Sequence, residues 1–419
     1  MKSLTKRKLF SRKLDDQAKV FSLASNEKNS SIFRMSITLN EKIQAKPLQK
    51  ALELALEKYK VFKVKMQKGI FWHYFEENEK SPIVSLESKN QFKKINTKEN
   101  NDYLFKVTYL KNKINIDFFH VLTDGSGGSA FLKEVVYKYL ELIHPKELQI
   151  VNKEEKSLCN IENAYKKSYK KHIKKCDSFQ KAYMLKGEEL QNGEVSISYF
   201  NIDLKEIKNY TKTRECSLSM YLVAMVAYSI YDTNYKMYEG KKPINICVPI
   251  NLRNYFTSET ISNFFSYMMI NLKLKSYKLY TFDNILDMVK KEFEKKLKLE
   301  KILATLTSDV GMTNNAIVRA VPLFLKKIVV RLGALELKRQ FTMTFSNVGK
   351  LEIDNKYSKY IQNYFVILAP DWAEKVKCGV CSYGENMVVT FGTVLKDNII
   401  ENRFKELLKQ HNIRFSLCH

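Results

Sequence analysis

The sequence predicts an α/β (α+β) chain built as two similar lobes, each a mixed sheet backed by helices. Three observations predict it. A strand–helix–strand–helix order recurs in the two halves, a polar and strongly basic stretch over 153–185 separates them, and 419 residues that are 45% apolar suffice for two ordinary cores. The division falls near residue 180, giving an N-terminal lobe over 1–180 and a C-terminal lobe over 181–419.

In the first half, residues 32–39 alternate as a strand, and Pro47 opens an Ala/Leu/Glu/Lys helix running to about Tyr59. A strand and turn carry Phe71, Trp72, His73 and Tyr74. Segments 103–110 and 113–120 are two strands joined at Lys111-Asn112, and the glycines at 125, 127 and 128 lead into a helix over 131–142 that Pro145 closes. The second half begins with a strand at 195–203, a helix at 204–213 and an apolar helix over 219–231 capped by Ser217 or Ser219. A strand at 244–249, an amphipathic helix at 281–299, strands at 340–346, 363–368, 376–383 and 386–395, and a helix at 400–411 complete it. Gly384-Glu385-Asn386 is the turn between the last two strands.

Basic residues number 71 against 45 acidic, a formal charge of +26. The excess is mostly lysine spread along the chain, without Arg-rich base-reading elements, so no nucleic-acid partner is expected. The run from Lys166 to Lys175 reads as a solvated face of the connector. Seven scattered cysteines fit reduced thiols in a cytoplasmic protein, and Cys378 and Cys381, three apart on a strand, face opposite sides, so no metal site is expected. The basic N-terminus lacks the apolar stretch of a secretory signal, and the longest apolar-dominated run, 218–230, is well short of the roughly 20 residues that span a bilayer.

His120 shares the parity of Ile114, Ile116 and Phe118 on its strand, opposite Lys113, Asn115 and Asp117. A histidine at the end of a strand before a Gly-rich break can line a channel between lobes, or be a core residue satisfied by backbone; spacing leaves both open. Asp124, four residues on, either orients the imidazole as in a triad or anchors the turn through a basic partner.

The run Phe119-His120-Val121-Leu122-Thr123-Asp124-Gly125 resembles the H-x-x-x-D-G signature of the chloramphenicol acetyltransferase and condensation-domain superfamily, which includes wax ester synthases and plant acyltransferases. Ser31–Leu39, the helix after it and Phe71–Tyr74 look like the first lobe of the alcohol acetyltransferase and condensation group, and the overall resemblance is closest to bacterial alcohol acetyltransferases. Val248-Pro249-Ile250-Asn251-Leu252-Arg253 resembles the segment that supplies an arginine to the motif aspartate, Asn263-Phe264-Phe265 follows at the family distance, and Thr344–Gly349 resembles the S-N motif of wax ester synthases. Phe119 stands where condensation domains usually carry a second histidine, and the plant D-F-G-W-G motif is absent.

The resemblance implies an active-site channel between two chloramphenicol acetyltransferase-like lobes, with His120 as general base and Asp124 paired structurally to Arg253. Gly125 is its motif glycine, and Ser346, Asn347 and Asn263 are candidates for oxyanion or channel positions, with backbone amides near Gly125 next; Ser346 and Asn347 read equally as turn formers that satisfy local backbone. It implies acyl-CoA as cosubstrate rather than a resident cofactor, an alcohol or amine acceptor, and a monomer. The rival readings are a silent condensation-like binding module and a carrier-protein-dependent condensing or ester-forming enzyme.

Overall fold

The computed structural model describes residues 10–418 apart from 28, 89–91, 93, 94, 149–161, 170–179, 239, 276 and 277. The first nine residues, most of the basic connector, and Cys159 and Cys176 therefore lie outside the described residues.

The first half runs β1 (Ser11–Lys13), α1 (Asp16–Ala24), β2 (Ile32–Leu39), α2 (Ala45–Lys58), β3 (Val64–Lys68), β4 (His73–Glu77), β5 (Val84–Leu86), β6 (Phe105–Leu110), β7 (Lys113–Phe119), α3 (Gly125–Ile143) and the short α4 (Ala164–Ser168). The second runs β8 (Ser196–Asp203), α5 (Leu204–Thr213), α6 (Leu218–Ile230), β9 (Ile244–Asn251), β10 (Phe265–Leu272), α7 (Phe282–Lys296), α8 (Leu299–Asn314), α9 (Ala316–Ala320), α10 (Leu323–Lys338), β11 (Met343–Lys350), α11 (Asn355–Ser358), β12 (Ile361–Leu368), β13 (Val376–Tyr383), β14 (Asn386–Thr393), α12 (Ile399–Gln410) and β15 (Phe415–Cys418).

These strands form two mixed sheets and a small antiparallel one, β1-β4-β3. The five-stranded sheet has the order β12-β2-β7-β6-β5, and the seven-stranded sheet β10-β9-β11-β13-β14-β8-β15. Each is mixed because β5 joins β6 in parallel, and β11 lies parallel to both β9 and β13. Helices α2 and α3 cover the first sheet, burying Leu48, Leu52, Phe131 and Val135 against Ile116 and Phe118. Helices α6, α7 and α12 cover the second, with Val226, Ile285 and Phe404 against Ile246 and Val389.

The halves exchange elements in a way that spacing does not reveal. Strand β12, from the second half, pairs antiparallel with β2 along its length, which makes it the edge of the first sheet. Gly379 on β13 permits the two sheets to approach there, because a Cβ would fall 2.4 Å from the Val366 carbonyl oxygen. Cys378 belongs to the second core and Cys381 to the first, as opposite faces of β13 require.

The caps explain where helices begin. Ser217 accepts from Met220 N, so α6 starts at Leu218, and Thr281 with Asn284 forms a reciprocal capping box on α7. Helix α3 begins at Gly125, six residues before the expected start, because Asp124 caps its first turn and offsets the low helix propensity of three glycines. Three helices occupy 299–338, a stretch without a spacing-based assignment. Among the described residues no helix is long and apolar enough to cross a membrane.

The polar parity of β7 is also buried. Asp117 receives Arg34 Nε at 2.6 Å and Nη2 at 2.8 Å, and Arg34 Nη1 lies 2.8 Å from Glu87, all inside the protein. Removing the cation would leave two buried carboxylates facing each other, and breaking a buried pair costs about 3–5 kcal/mol. Arg34→Ala is therefore expected to lower the unfolding free energy by that amount in chemical denaturation, and an unchanged midpoint would refute this account of the sheet.

Candidate active site

His120 follows the last residue of β7, held by its own N–H donating to the Ser31 carbonyl at 2.9 Å. Its imidazole is boxed by aromatic rings. Phe21 of α1 stacks on it at 4.5 Å between centroids, Phe33 of β2 meets it edge-on at 5.0 Å, and Phe265 of β10 tilts over it at 5.2 Å. The ring lines a cavity of about 340 Å³ shared by the two halves.

Asn263 fixes the ring's proton. Its Nδ2 donates to the His120 carbonyl at 2.9 Å and to Asp15 Oδ2 at 3.2 Å, so its Oδ1 is the atom turned to His120 Nδ1 at 3.1 Å. An amide oxygen can only accept, so Nδ1 carries the proton and Nε2 the lone pair. Nε2 has no protein partner among the described residues. Burial pushes the imidazole pKa below its ordinary value and Lys377 pushes the same way, outweighing the upward pull of Asp124 and of the Asn263 hydrogen bond. Asn263, an expected oxyanion or channel residue, is instead 1% exposed and does not line the cavity, because its contacts with His120, Val121 and Asp15 hold it behind the imidazole.

Asp124 is spent elsewhere. Its Oδ1 accepts from the Ser126 and Gly127 amides at 3.0 and 3.2 Å, and its Oδ2 accepts from Arg253 Nη1 and the Phe264 amide, both at 2.8 Å. The triad arrangement is absent, since both oxygens are occupied and neither bonds to His120. The same bonds remove the Ser126 and Gly127 amides from the pool of oxyanion donors. A carboxylate at a helix N-terminus is also favoured by the helix dipole.

Arg253, just after β9, uses its remaining donors on the loop that precedes β10. Nε and Nη2 reach the Thr260 carbonyl at 3.0 and 2.8 Å, and Nη2 reaches the Ser262 carbonyl at 2.7 Å. The loop is pressed against α3: Thr123 Oγ1 donates to Ile261 O at 2.6 Å, and a Cβ on Gly127 would fall 2.2 Å from the same oxygen. Gly125 touches the other side of the cavity, where a Cβ would lie 2.9 Å from Val348 Cγ1.

Ser346 and Asn347 both line the cavity, within β11 rather than at its end. They differ in availability. Asn347 Nδ2 donates to Ser219 Oγ at 3.2 Å and its Oδ1 accepts from Gly349 N at 2.9 Å, a turn-forming arrangement, whereas the Ser346 hydroxyl has no partner among the described residues.

Two further features had no sequence signal. Asp15 caps α1 and meets Asn263 from 248 positions away, and burial pushes its carboxyl up to about 7 against the Ala18 amide, Asn263 and Arg12, which favour its charge. A charged wall also faces the cavity, in which Lys377 lies 2.8 Å from Asp371 and 3.4 Å from Glu374, while Lys338 contacts Asp371 and reaches Asn29 at 3.0 Å. Burial alone would raise the Asp371 carboxyl, but Lys377 and Lys338 hold it well below the usual carboxylate range.

No protein-family model and no curated protein matches the chain. Solved structures do. Polyketide synthase associated protein 5 from Mycobacterium tuberculosis is similar at TM-score 0.62 and 13% identity, over 95% of this chain and 96% of that one. Trichothecene 15-O-acetyltransferase from Fusarium sporotrichioides is similar at TM-score 0.62 and 8% identity, over 96% and 94%. The starter condensation domain of rhizomide synthetase, in a mutant form solved with C8-CoA and Leu-SNAC, is similar at TM-score 0.59 and 10% identity, over 96% and 93%. The fold is therefore the two-lobed one of the chloramphenicol acetyltransferase and condensation type.

The Asp124–Arg253 pair, its carboxylate buried and its guanidinium mostly so, bears on stability. Either Asp124→Ala or Arg253→Ala is expected to cost about 3–5 kcal/mol in chemical denaturation, because each strands one charge. The double variant should lose clearly less than the sum of the two; strict additivity would mean that the pair is not coupled.

Proposed function

We propose that this chain is a CoA-dependent acyltransferase, closest in kind to alcohol acetyltransferases, that moves an acyl group from acyl-CoA to an alcohol or amine with His120 as general base. The observation that carries this reading is the tautomer of His120. A proton held on Nδ1 leaves Nε2 basic on a ring that lines the cavity, and burial keeps it neutral at physiological pH.

In the reaction, Nε2 takes the proton of the acceptor hydroxyl or amine as its oxygen or nitrogen attacks the thioester carbonyl. The tetrahedral oxyanion forms, the C–S bond breaks, and Nε2–H returns the proton to the departing CoA thiolate. The free Ser346 hydroxyl is the donor we assign to the oxyanion, ahead of Asn347, whose amide is engaged in its turn. Asp124 takes no part in proton transfer and serves only to hold the wall.

The fold's appearance in an O-acetyltransferase and in a condensation domain solved with C8-CoA supports a thioester donor. Release of free CoA thiol from acetyl- through palmitoyl-CoA, with a panel of alcohols and amines, tests the proposal. His120→Ala should lower the rate about a hundred- to ten-thousand-fold while the protein melts as before, the usual worth of positioned acid–base help. A folded His120→Ala protein at full rate would remove His120 from the chemistry, and no thiol release from any donor would favour the silent binding module.

The pH profile carries its own sign. Protonated His120 is inactive as a base, and its pKa lies below the ordinary 6.5, so kcat/KM should stay level as pH falls through 6.5 and drop only in more acid solution. An acid limb at or above 6.5 would contradict the apolar box around the ring.

A further inference from the structure

Helix α10 is inside out. Its inward residues include Lys326, Arg331 and Lys338, with Val330 and Ala334 between them, while Phe324, Leu325, Ile328, Val329, Leu332 and Leu335 face outward. The inward cations are all engaged. Lys326, 2% exposed, donates to the Phe71 carbonyl at 2.8 Å and sits 3.7 Å from the Trp72 ring centroid, and Arg331 reaches the carbonyls of Leu23 and Ser25 at 3.3 and 3.4 Å. Turning the helix to bury its leucines would strand these charges, so the interior locks the apolar face outward.

That face is large. Phe324 and Val329 are each 67% exposed and Leu332 62%, while Ile317 of the preceding α9 and Ile70 at the β3–β4 tip are each 77% exposed. Leu323 N donates to Ile70 O at 2.9 Å, which ties that tip to the start of α10. Contiguous apolar surface of this kind marks a docking site on a protein of this size.

Charge indicates the occupant. Of the six Lys and Arg in residues 316–339, Arg319, Lys327 and Arg339 are exposed against the single acid Glu336, and Lys68 joins Arg319 and Lys327 at the edge of the patch on a chain of net charge +26. A second copy docked face to face would bring those cationic edges together, whereas anionic headgroups complement them. We propose that α9, α10 and the β3–β4 tip dock the protein on an anionic bilayer surface, with the apolar side chains at the boundary of headgroups and acyl chains and the helix lying in the membrane plane. Ala334, Leu337 and Lys338 of the same helix line the cavity, so the docked element is also a cavity wall. The proposal stands whether or not that cavity performs acyl transfer.

The test is flotation of the full chain with vesicles of phosphatidylcholine alone and of phosphatidylcholine with an equal part of phosphatidylglycerol. Binding is expected to the mixed vesicles, weakened by salt and by omission of phosphatidylglycerol. Ile328→Gln and Leu332→Gln, both at exposed positions and melting as the parent does, should each weaken binding about tenfold, the worth of one buried aliphatic side chain. The proposal is overturned if the parent fails to float, if the double variant floats as well as the parent, or if sedimentation velocity shows those residues serving only a self-associated form that binds no vesicle.

Discussion

The Arg253 guanidinium is the constraint on which the rest of the site depends. It reaches Asp124 at 2.8 Å and the carbonyls of Thr260 and Ser262, so one side chain from the second half grips both the N-terminus of α3 and the loop leading to β10. Asn263 lies in that loop, and Asn263 determines which nitrogen of His120 holds the proton. The aspartate thus acts on the His120 ring at one remove, through the position of a loop. Gly127 is part of the same device, since only a residue without a Cβ lets Ile261 come close enough for the loop to seat.

Placing charge here is costly, and the structure offsets the cost by saturation. Each oxygen of Asp124 accepts two hydrogen bonds, and the Arg253 donors are directed at backbone and side-chain oxygens. Across the cavity, Lys377 and Lys338 meet Asp371 and Glu374 in a wall where cations and carboxylates balance. His120 lies between these charged groups yet is enclosed by Phe21, Phe33 and Phe265, so desolvation decides its charge state. An apolar box with polar support behind it holds the His120 ring in place without charging it, which is what the proposed proton transfer needs.

Much of the fold was legible where local physics decides it. The alternation of β7, the Ser217 cap and the turn at Gly384 all express neighbours within a few residues, and the structure has them nearly where spacing predicts. The early start of α3 was hidden because glycines read as a break, and their use becomes visible only with Ile261 beside Gly127. The pairing of β12 with β2 joins residues more than three hundred positions apart, and no periodicity encodes a partner. The outward direction of the apolar face of α10 is not encoded in periodicity, which marks a stripe without saying what it faces. At the site, the motif and the resemblance pick out His120, Asp124 and Arg253, of which the structure pairs the last two, while the contacts of Asp15, Phe21 and Asn263 join distant segments.

Asn263 sets the tautomer of His120. Nitrogen NMR of ring-labelled histidine, with the His120 signals identified by their loss in His120→Ala, tests it directly. Near neutral pH the account predicts a neutral imidazole with its proton on Nδ1 and an unprotonated Nε2, and a shift away from that tautomer in Asn263→Ala. A proton on Nε2, or an imidazolium at neutral pH, would contradict it.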